Sequence, residues 1–185
     1  MRIIAGRYKG RRLSAPPGNK TRPTTDRDRE AIFSALAHQL AQDFSGLAVL
    51  DLFAGSGLLG LEALSRGAAH ATFVDKDHSA MRTIKANIST LKCEHLTRTF
   101  LGRADAAPRY ESGYDLVFAD APYGSDLSAQ AITSAQQRRL IKPGTLCIVE
   151  CQNKELGDLD TLACDILWQR ARDNSAFTVL QVANL

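Results

Sequence analysis

The chain has 185 residues, of which 44% are hydrophobic and 23% are charged, a composition typical of one globular domain. No apolar run approaches the ~20 residues that a membrane-spanning helix needs, and the N-terminus lacks the apolar core of a signal peptide. Four cysteines and four histidines are scattered without metal-binding spacing, so we expect no metal site. We therefore expect a cytoplasmic protein with reduced cysteines.

The formal net charge of +3 is unevenly distributed along the chain. The first 29 residues contain nine Lys or Arg and two acidic residues, whereas the rest contains 14 basic and 18 acidic residues. A basic segment on an acidic body favours a polyanionic partner such as a nucleic acid. A solvated tail without a partner is the alternative. The candidate phosphate contacts are the basic side chains of this segment, Arg2, Arg7, Lys9, Arg11, Arg12 and Arg22.

Residues 1–45 are predicted to form a basic hairpin and a helix that packs on the body. Segment 2–13 has two apolar patches interrupted by glycines, which favours a hairpin with basic residues on one face. The prolines of segment 15–18 break regular structure. Thr25 or Asp26 can cap the helix that follows. That helix is predicted to end near residues 44–46, and it carries apolar residues at helical spacing, Ile32, Phe33, Leu36 and Leu40.

Residues 48–66 predict a strand, a tight turn and a helix. Segment 48–52 is mostly apolar, as in a buried strand, and segment 58–66 carries helix-forming residues with leucines at helical spacing. Between them lie residues 53–57, the glycine turn, whose glycines allow the backbone to approach a ligand closely. The helix offers free N–H groups and a positive dipole end to that ligand. This pattern predicts a cofactor at the carboxyl edge of a sheet.

Two cofactors fit the glycine turn. Gly55, Gly57 and Gly60 match the G-x-G-x-x-G dinucleotide pattern, and Asp75 follows at about the expected ~20 residues, which together favour NAD and an oxidoreductase. However, Asp51 places a carboxylate at the strand end, where a positively charged ligand is more favourable than a pyrophosphate. S-adenosylmethionine carries an ammonium and a sulfonium, so we prefer this cofactor and keep NAD as the alternative.

The rest of the body, within residues 46–185, alternates strands and helices, which predicts an α/β fold with a doubly wound, mostly parallel sheet. Further strands are predicted over 71–75, 96–101, 116–119 and 145–150, and helices over 78–91 and from a cap at Asp126 to about Leu140. The Lys142-Pro-Gly144 segment predicts a turn. Segments 166–168 and 177–182 are expected to pair as an antiparallel hairpin at a sheet edge.

Acidic residues follow the ends of two predicted strands. Asp75 can accept hydrogen bonds from both ribose hydroxyls of a nucleoside, in either cofactor. Asp105 follows the strand predicted over 96–101, and its carboxylate could accept a hydrogen bond from the adenine amine of S-adenosylmethionine. A solvated loop carboxylate is the alternative at both positions.

Asp120-Ala-Pro-Tyr123 lies at the end of the strand predicted over 116–119, on the same sheet edge as the glycine turn if the strands are parallel. A carboxylate, a proline-stiffened turn and an aromatic ring suit a flat group that carries an amine. Asp120 and the Ala121 carbonyl can accept its N–H groups, and Tyr123 can stack on its ring. Pro122 restricts the backbone and removes a competing donor.

These motifs resemble those of a known family. Asp51-Leu-Phe-Ala-Gly-Ser-Gly57 resembles motif I of the class I methyltransferases, which implies that Asp51, Phe53, Gly55, Ser56 and Gly57 bind S-adenosylmethionine. Asp120-Ala-Pro-Tyr123 resembles motif IV of the amino-methyltransferases, with Ala121 in place of the usual first proline. Together with Arg2-Ile-Ile-Ala-Gly6, Arg22-Pro-Thr-Thr25, Arg29-Glu30 and Gly60-Leu-Glu-Ala-Leu64, they resemble the RsmD family.

The resemblance implies a bacterial methyltransferase that acts on guanine N2 of small-subunit (16S) ribosomal RNA. The implied mechanism is direct methyl transfer to a guanine drawn out of its stack, without a metal. We expect a monomer that acts on an assembling small ribosomal subunit and does not bind a membrane. A DNA adenine-N6 or cytosine-N4 methyltransferase is the main alternative, because those enzymes share the motif at Asp120, although they usually carry an additional target-recognition segment.

Overall fold

The computed structural model describes residues 1–17, 25–121, 127–152, 162–171 and 175–183, with the side chains of 151 and 152 excepted. The helices are α1 (Asp26–Gln39), α2 (Leu58–Arg66), α3 (His78–Leu91) and α4 (Leu127–Gln137). The strands are β1 (Ala48–Leu52), β2 (His70–Asp75), β3 (Thr97–Leu101), β4 (Tyr114–Asp120), β5 (Ile141–Gln152), β6 (Cys164–Ala171) and β7 (Ser175–Val182).

The seven strands form one sheet in the order β3-β2-β1-β4-β5-β7-β6. Strands β1 to β5 pair in parallel, whereas β7 runs antiparallel to both β5 and β6. The predicted doubly wound, mostly parallel sheet with a C-terminal antiparallel hairpin is therefore confirmed. The strand order reverses beside β1, and such a switch point is where open α/β sheets bind ligands.

Helices cover both faces of the sheet. Helices α1, α2 and α3 pack on one face, against a core that includes Phe73 and Phe118. Helix α4 packs on the other face, against a core that includes Leu50 and Val117. All five residues of β1 are buried, because β1 lies between two parallel neighbours and under helices on both sides. The one charged residue in this strand, Asp51, is therefore forced into the interior.

Several element boundaries differ from the prediction, most of all the end of α1 and the start of β5, and α4 ends at Gln137 before the expected Leu140. Helix α1 starts at the predicted cap Thr25, whose side chain accepts the Asp28 N–H, but it ends at Gln39, before the expected 44–46. Residues 41 and 42 adopt positive φ angles, which end the helix early.

Strand β5 begins at Ile141, so the predicted turn at 142–144 lies inside the strand. The pairing with β4 shifts register there, between Tyr114 and Leu116. A bulge accommodates the proline and glycine without ending the strand. The predicted cap of α4, Asp126, lies outside the described residues.

Residues 2–13 form the predicted hairpin, called here the N-terminal hairpin. Arg2 and Arg12 pair as an antiparallel bridge, and Ile3 and Leu13 are buried in the core shared with α1, α2 and α3. The hairpin is thus an ordered part of the body, held by apolar packing, and its basic side chains start from a fixed backbone.

The hairpin docks on α2 through a buried acid. The Glu62 carboxylate accepts the backbone N–H groups of Ile4 and Ala5 at 2.8 and 3.0 Å and also pairs with Arg66 at 2.9 Å. Glu62 is fully buried, and a buried carboxylate needs such partners to offset its desolvation. The docking is therefore specified by backbone groups of the hairpin as well as by its apolar side chains.

Gly6 makes this close approach possible. Its φ is 77°, and a Cβ at this position would overlap the carbonyl oxygen of Ser65 on α2. The Arg7 N–H donates to that same carbonyl at 2.8 Å, so the hairpin backbone lies directly on the helix. A side chain of any size at residue 6 is incompatible with this contact.

Replacing Gly6 by alanine is expected to undock the N-terminal hairpin. Gly10→Ala is the matched control, because Gly10 has a φ of 80° but a Cβ there meets no atom within 4 Å. Both variants carry backbone strain of about 1 kcal/mol. In Gly6→Ala, overlap of the new Cβ with the Ser65 carbonyl should lower the free energy of unfolding by about 1–3 kcal/mol more. Urea unfolding measures this difference. Faster amide exchange at Ile4 and Ala5 in Gly6→Ala alone is expected, and equal exchange in the two variants would contradict the docking.

Candidate active site

The carboxyl ends of β2, β1 and β4 lie side by side. Leu52 pairs with Val74 on one side and with Ala119 on the other. The residues that follow, which are the start of the glycine turn, Asp75 and Asp120, therefore stand at the same level of the sheet edge. Because neighbouring strands lie about 4.8 Å apart, Asp75 and Asp120 flank the glycine turn with their backbones about 10 Å apart.

The glycine turn has an unusual backbone. Phe53, Gly55 and Gly57 adopt positive φ angles of 61°, 57° and 77°. For Phe53, which is not a glycine, this conformation costs about 1–2 kcal/mol, and such strain is concentrated at functional sites. Gly57 is the N-cap of α2, and as a glycine it has no side chain to cap the helix. The turn thus leaves backbone N–H groups at the start of α2 available to a ligand.

Asp51 lies beneath the glycine turn and is 2% exposed. Its Oδ2 accepts the Gly60 N–H at 3.0 Å, which ties β1 to α2. Burial raises the pKa of Asp51 to about 8; the bond from Gly60 lowers the pKa and the charge of Asp75 raises it further. Gly60 is needed for this contact, because a Cβ there would lie 2.5 Å from Cε1 of Phe73.

Asp75 holds the other side of the glycine turn. Its Oδ2 accepts the Gly55 N–H and its Oδ1 accepts the Asp77 N–H, both at 2.8 Å. Each carboxylate oxygen can accept a second hydrogen bond, and the residue is half-buried at the sheet edge. The carboxylate is therefore fixed in place and retains capacity for two hydroxyl donors.

Asp105 lies in a short 3-10 turn, Ala104–Ala106, beyond the end of β3. Its carboxylate is paired with the Arg103 guanidinium at 2.6 to 3.1 Å, which lowers the pKa of Asp105. Arg103 competes with any ligand donor for this carboxylate. The sequence motif did not suggest Arg103 as its partner. A contact between Asp105 and an adenine amine stays a prediction.

Asp120 ends β4, where it pairs with Glu150 of β5. The next residue, Ala121, donates its N–H to the Oγ of Ser128 at 3.4 Å, and Ser128 donates to the Ala119 carbonyl at 3.0 Å. Ser128 is buried in the first turn of α4. It fixes the turn that carries Asp120, and the sequence analysis missed it. Pro122 and Tyr123 lie outside the described residues.

The basic side chains of the N-terminal hairpin fall into two groups. Arg2, Arg7 and Arg11 contact the body: Arg2 pairs with Asp26 at 3.0 Å, and the other two donate to carbonyl groups at the ends of α2 and α3. The side chains of Lys9 and Arg12 are exposed and form no hydrogen bond or ion pair with the described part of the chain. Arg22 lies outside it.

The described residues contain no helix that is long and apolar enough to span a membrane. Within the same ranges, no three His, Cys, Asp or Glu side chains are grouped so that they could share a metal ion. Cys93, Cys147 and Cys164 are free. Burial raises the pKa of the Cys93 thiol to about 11, so this side chain stays protonated in the core.

The raised pKa of Asp51 predicts a pH-dependent stability. An unfolded Asp titrates near pH ~4, so the folded state holds one more proton between pH ~4 and ~8, and stability falls as pH rises through this window. Asp51→Asn keeps an oxygen for the Gly60 N–H but cannot titrate. The variant should therefore gain stability relative to the wild type from pH 5 to 8, by up to about 1.4 kcal/mol per pH unit.

Urea unfolding at several pH values measures this difference. Asp43→Asn is the control, because Asp43 is exposed and the N–H of Ser45 lowers its pKa. The difference in stability between this variant and the wild type should stay constant over the window. A pH-independent difference for Asp51→Asn would contradict the raised pKa.

Comparison with known proteins gives the family. The family model described as Conserved hypothetical protein 95 matches residues 1–180. The putative rRNA methyltransferase YlbH of Bacillus subtilis is 38% identical over 154 residues, 81% of this chain and 82% of that protein. Ribosomal RNA small subunit methyltransferase D of Haemophilus influenzae is 36% identical over 156 residues, 82% of this chain and 79% of that protein.

A solved structure agrees with these relatives. The putative methyltransferase yhhF from Escherichia coli superposes with a TM-score of 0.83 at 30% identity, covering 100% of this chain and 99% of that chain. The agreement extends over the N-terminal hairpin as well as the sheet. The chain therefore belongs to the conserved hypothetical protein 95 family, which is the RsmD family that its motifs resemble.

Proposed function

We propose that the chain transfers a methyl group from S-adenosylmethionine to the N2 amine of a guanine in 16S ribosomal RNA. The observation that carries this proposal is the strand register that places the glycine turn and Asp75 beside Asp120. Relatives named as rRNA methyltransferases support ribosomal RNA as the substrate. The guanine and its N2 atom are taken from the resemblance of the motifs to the RsmD family.

The chemistry of the site fits S-adenosylmethionine. This cofactor supplies a methyl carbon on a positively charged sulfur, which makes the carbon electrophilic. Asp75 would accept its two ribose hydroxyls, and the positive charge of the cofactor would lower the raised pKa of Asp51, so that Asp51 becomes a carboxylate beneath the glycine turn when the cofactor binds. The backbone of the turn and of α2 would enclose the rest, through Phe53, Gly55, Ser56 and Gly57. Asp105 would accept from the adenine amine in competition with Arg103.

The same contacts make a pyrophosphate unfavourable. A dinucleotide needs backbone N–H groups of the turn for its phosphates, but those of Gly55 and Gly60 are already bound to Asp75 and Asp51. Two phosphate charges would also lie next to the Asp75 carboxylate, and like charges at short range repel strongly. This arrangement supports S-adenosylmethionine over NAD.

Asp120 and Ala121 would orient the target amine. The carboxylate of Asp120 and the carbonyl oxygen of Ala121 would accept its two N–H groups, so that the nitrogen lone pair faces the methyl carbon. As the N–C bond forms and the C–S bond breaks, the nitrogen becomes acidic, and Asp120 can take the released proton. Positioning of this kind can supply much of a rate enhancement. Pro122 and Tyr123 would stiffen the turn and stack on the base.

The N-terminal hairpin would hold the RNA backbone. Its basic side chains, with Arg22, would contact phosphates, and Lys9 and Arg12 are the strongest candidates because the described body does not engage them. The target guanine must leave its stack, which costs a few kcal/mol, and phosphate and base contacts must offset that cost. We propose an assembling small subunit as the substrate and a monomer as the active form.

Methyl transfer from labelled S-adenosylmethionine tests the reaction. The acceptors are bare ribosomal RNA, small subunits from a methylase-deficient strain, DNA and bulk protein. Label is expected on guanine N2 in RNA or subunits, and Asp120→Ala should lower kcat by about 10²-fold because the amine loses its orientation. Asp165→Ala, an exposed position on edge strand β6, should keep the wild-type rate. Label on DNA or protein, or full activity in Asp120→Ala, would contradict the proposal.

Salt dependence tests the hairpin. Changing Lys9 and Arg12 together to Gln should weaken binding to ribosomal RNA at low salt and reduce the slope of log K against log salt by up to about 1.8, or 0.9 for each lost phosphate contact. The control is the charge-matched pair Arg139→Gln and Lys142→Gln, at the amino end of β5 and away from the proposed site. An unchanged slope in the hairpin variant would contradict its role.

A further inference from the structure

One buried side chain joins the N-terminal hairpin to the glycine turn. The Nδ2 of Asn87 on α3 donates to the carbonyl oxygen of Ser14 at 3.0 Å and to that of Ser56 at 2.9 Å. Its Oδ1 accepts the Ser14 N–H at 2.9 Å. Both amide hydrogens are thus in use. Asn87 is 1% exposed, so water does not substitute for these partners.

The two sides of this junction belong to different parts of the proposed site. Ser14 directly follows the hairpin, whereas Ser56 is the central residue between the two glycines of the glycine turn. Helix α3 also supports the turn through Ile84, whose Cγ1 would lie 3.4 Å from a Cβ at Gly57. Asn87 and Ile84 are three residues apart and lie on the same face of the helix. The glycine turn therefore packs against α3 next to Asn87.

The geometry makes Asn87 a rigid connection. Its amide group is planar, so a shift of Ser14 that keeps both bonds must rotate or displace the group that holds the Ser56 carbonyl. Other hairpin contacts are with α1, through Asp26 and Arg29, with α2, through Glu62 and Ser65, and with the last turn of α3, through the Thr90 carbonyl. Those contacts hold the hairpin without touching Ser56. They provide a matched control for the role of Asn87.

We propose that Asn87 is a positioning residue that couples RNA binding by the N-terminal hairpin to cofactor binding by the glycine turn. The inference rests on the proposed function. RNA that fixes the hairpin restrains Ser14, and through Asn87 it restrains the turn in the conformation that holds the cofactor. Because coupling between two binding sites is reciprocal, the cofactor must raise the affinity for RNA by the same factor.

The test measures the dissociation constant of S-adenosylhomocysteine by calorimetry, alone and with saturating small ribosomal subunits from a methylase-deficient strain as the source of RNA. The wild type should bind S-adenosylhomocysteine about 5–10-fold more tightly with RNA, which is within the usual range of coupling between sites. Asn87→Ala should bind it more weakly without RNA and show no gain when RNA is added. Ser65→Ala, which removes a hairpin contact of the same kind, should keep the gain at saturating RNA.

Ser14→Pro provides an independent variant if Asn87→Ala does not fold. The substitution is at an exposed residue. It removes the Ser14 N–H that donates to Oδ1 of Asn87 and leaves Asn87 and Ser56 in place. The bond from Nδ2 of Asn87 to the carbonyl of residue 14 remains, so this variant should keep the wild-type affinity for S-adenosylhomocysteine alone and show a smaller gain with RNA. General destabilisation would not separate the two affinities in this way. A gain retained in Asn87→Ala, or an undiminished gain in Ser14→Pro, would overturn the inference.

The wild type also distinguishes the two proposals. A wild type that binds both ligands independently would overturn the coupling and leave the proposed function intact. A wild type that does not bind S-adenosylhomocysteine would overturn both.

Discussion

The hydrogen bond from the Gly60 N–H to the buried Asp51 carboxylate sets the geometry of the candidate site. It fixes the first turn of α2 against the end of β1, and the glycine turn must close the short gap between them with positive φ angles. A carboxylate this deeply buried is costly, and one backbone donor offsets only part of that cost. Burial therefore raises the pKa of Asp51 to about 8. Under the proposed function, the positive charge of S-adenosylmethionine would lower that pKa and favour the carboxylate, which is the physical basis for preferring this cofactor.

Backbone hydrogen bonding also explains how the turn tolerates Ala121, where the motif usually has a proline. The usual proline of the motif stiffens the turn by fixing φ but has no N–H. Alanine has an N–H, and Ser128 accepts it while donating to the Ala119 carbonyl. A buried side-chain hydroxyl therefore restrains the turn that a proline would otherwise stiffen. Under the proposed function, this preserves the orientation of Asp120 and of the Ala121 carbonyl.

Much of the fold was predictable because it depends on local patterns. The apolar run of β1, the glycines after it and the spacing of apolar residues on α3 are properties of short segments. The bounds of β1, α2 and α3 agree with the prediction, whereas those of β5 differ because a bulge let the strand absorb a proline and a glycine. Whether the strand continues through the proline and the glycine depends on its pairing with β4, which cannot be predicted from the sequence of the segment alone.

The missed residues of the site share one property. Ser128 and Asn87 act through backbone groups that are distant in sequence, and a lone serine or asparagine on a helix carries no signal of such a bond. The contacts of Arg7 and Arg11 with helix ends were missed for the same reason, because they join residues 57 and 79 positions apart. Charge in a sequence predicts a polyanionic partner, but not which cations the body itself engages.

The affinity of the chain for S-adenosylmethionine and for NAD, measured by calorimetry on the wild type and on Asp75→Ala, tests the central claim most directly. The account predicts one equivalent of S-adenosylmethionine bound by the wild type, much weaker binding by Asp75→Ala because two ribose hydroxyls lose their acceptor, and no binding of NAD. Binding of NAD at the same site, or S-adenosylmethionine affinity that does not depend on Asp75, would contradict it.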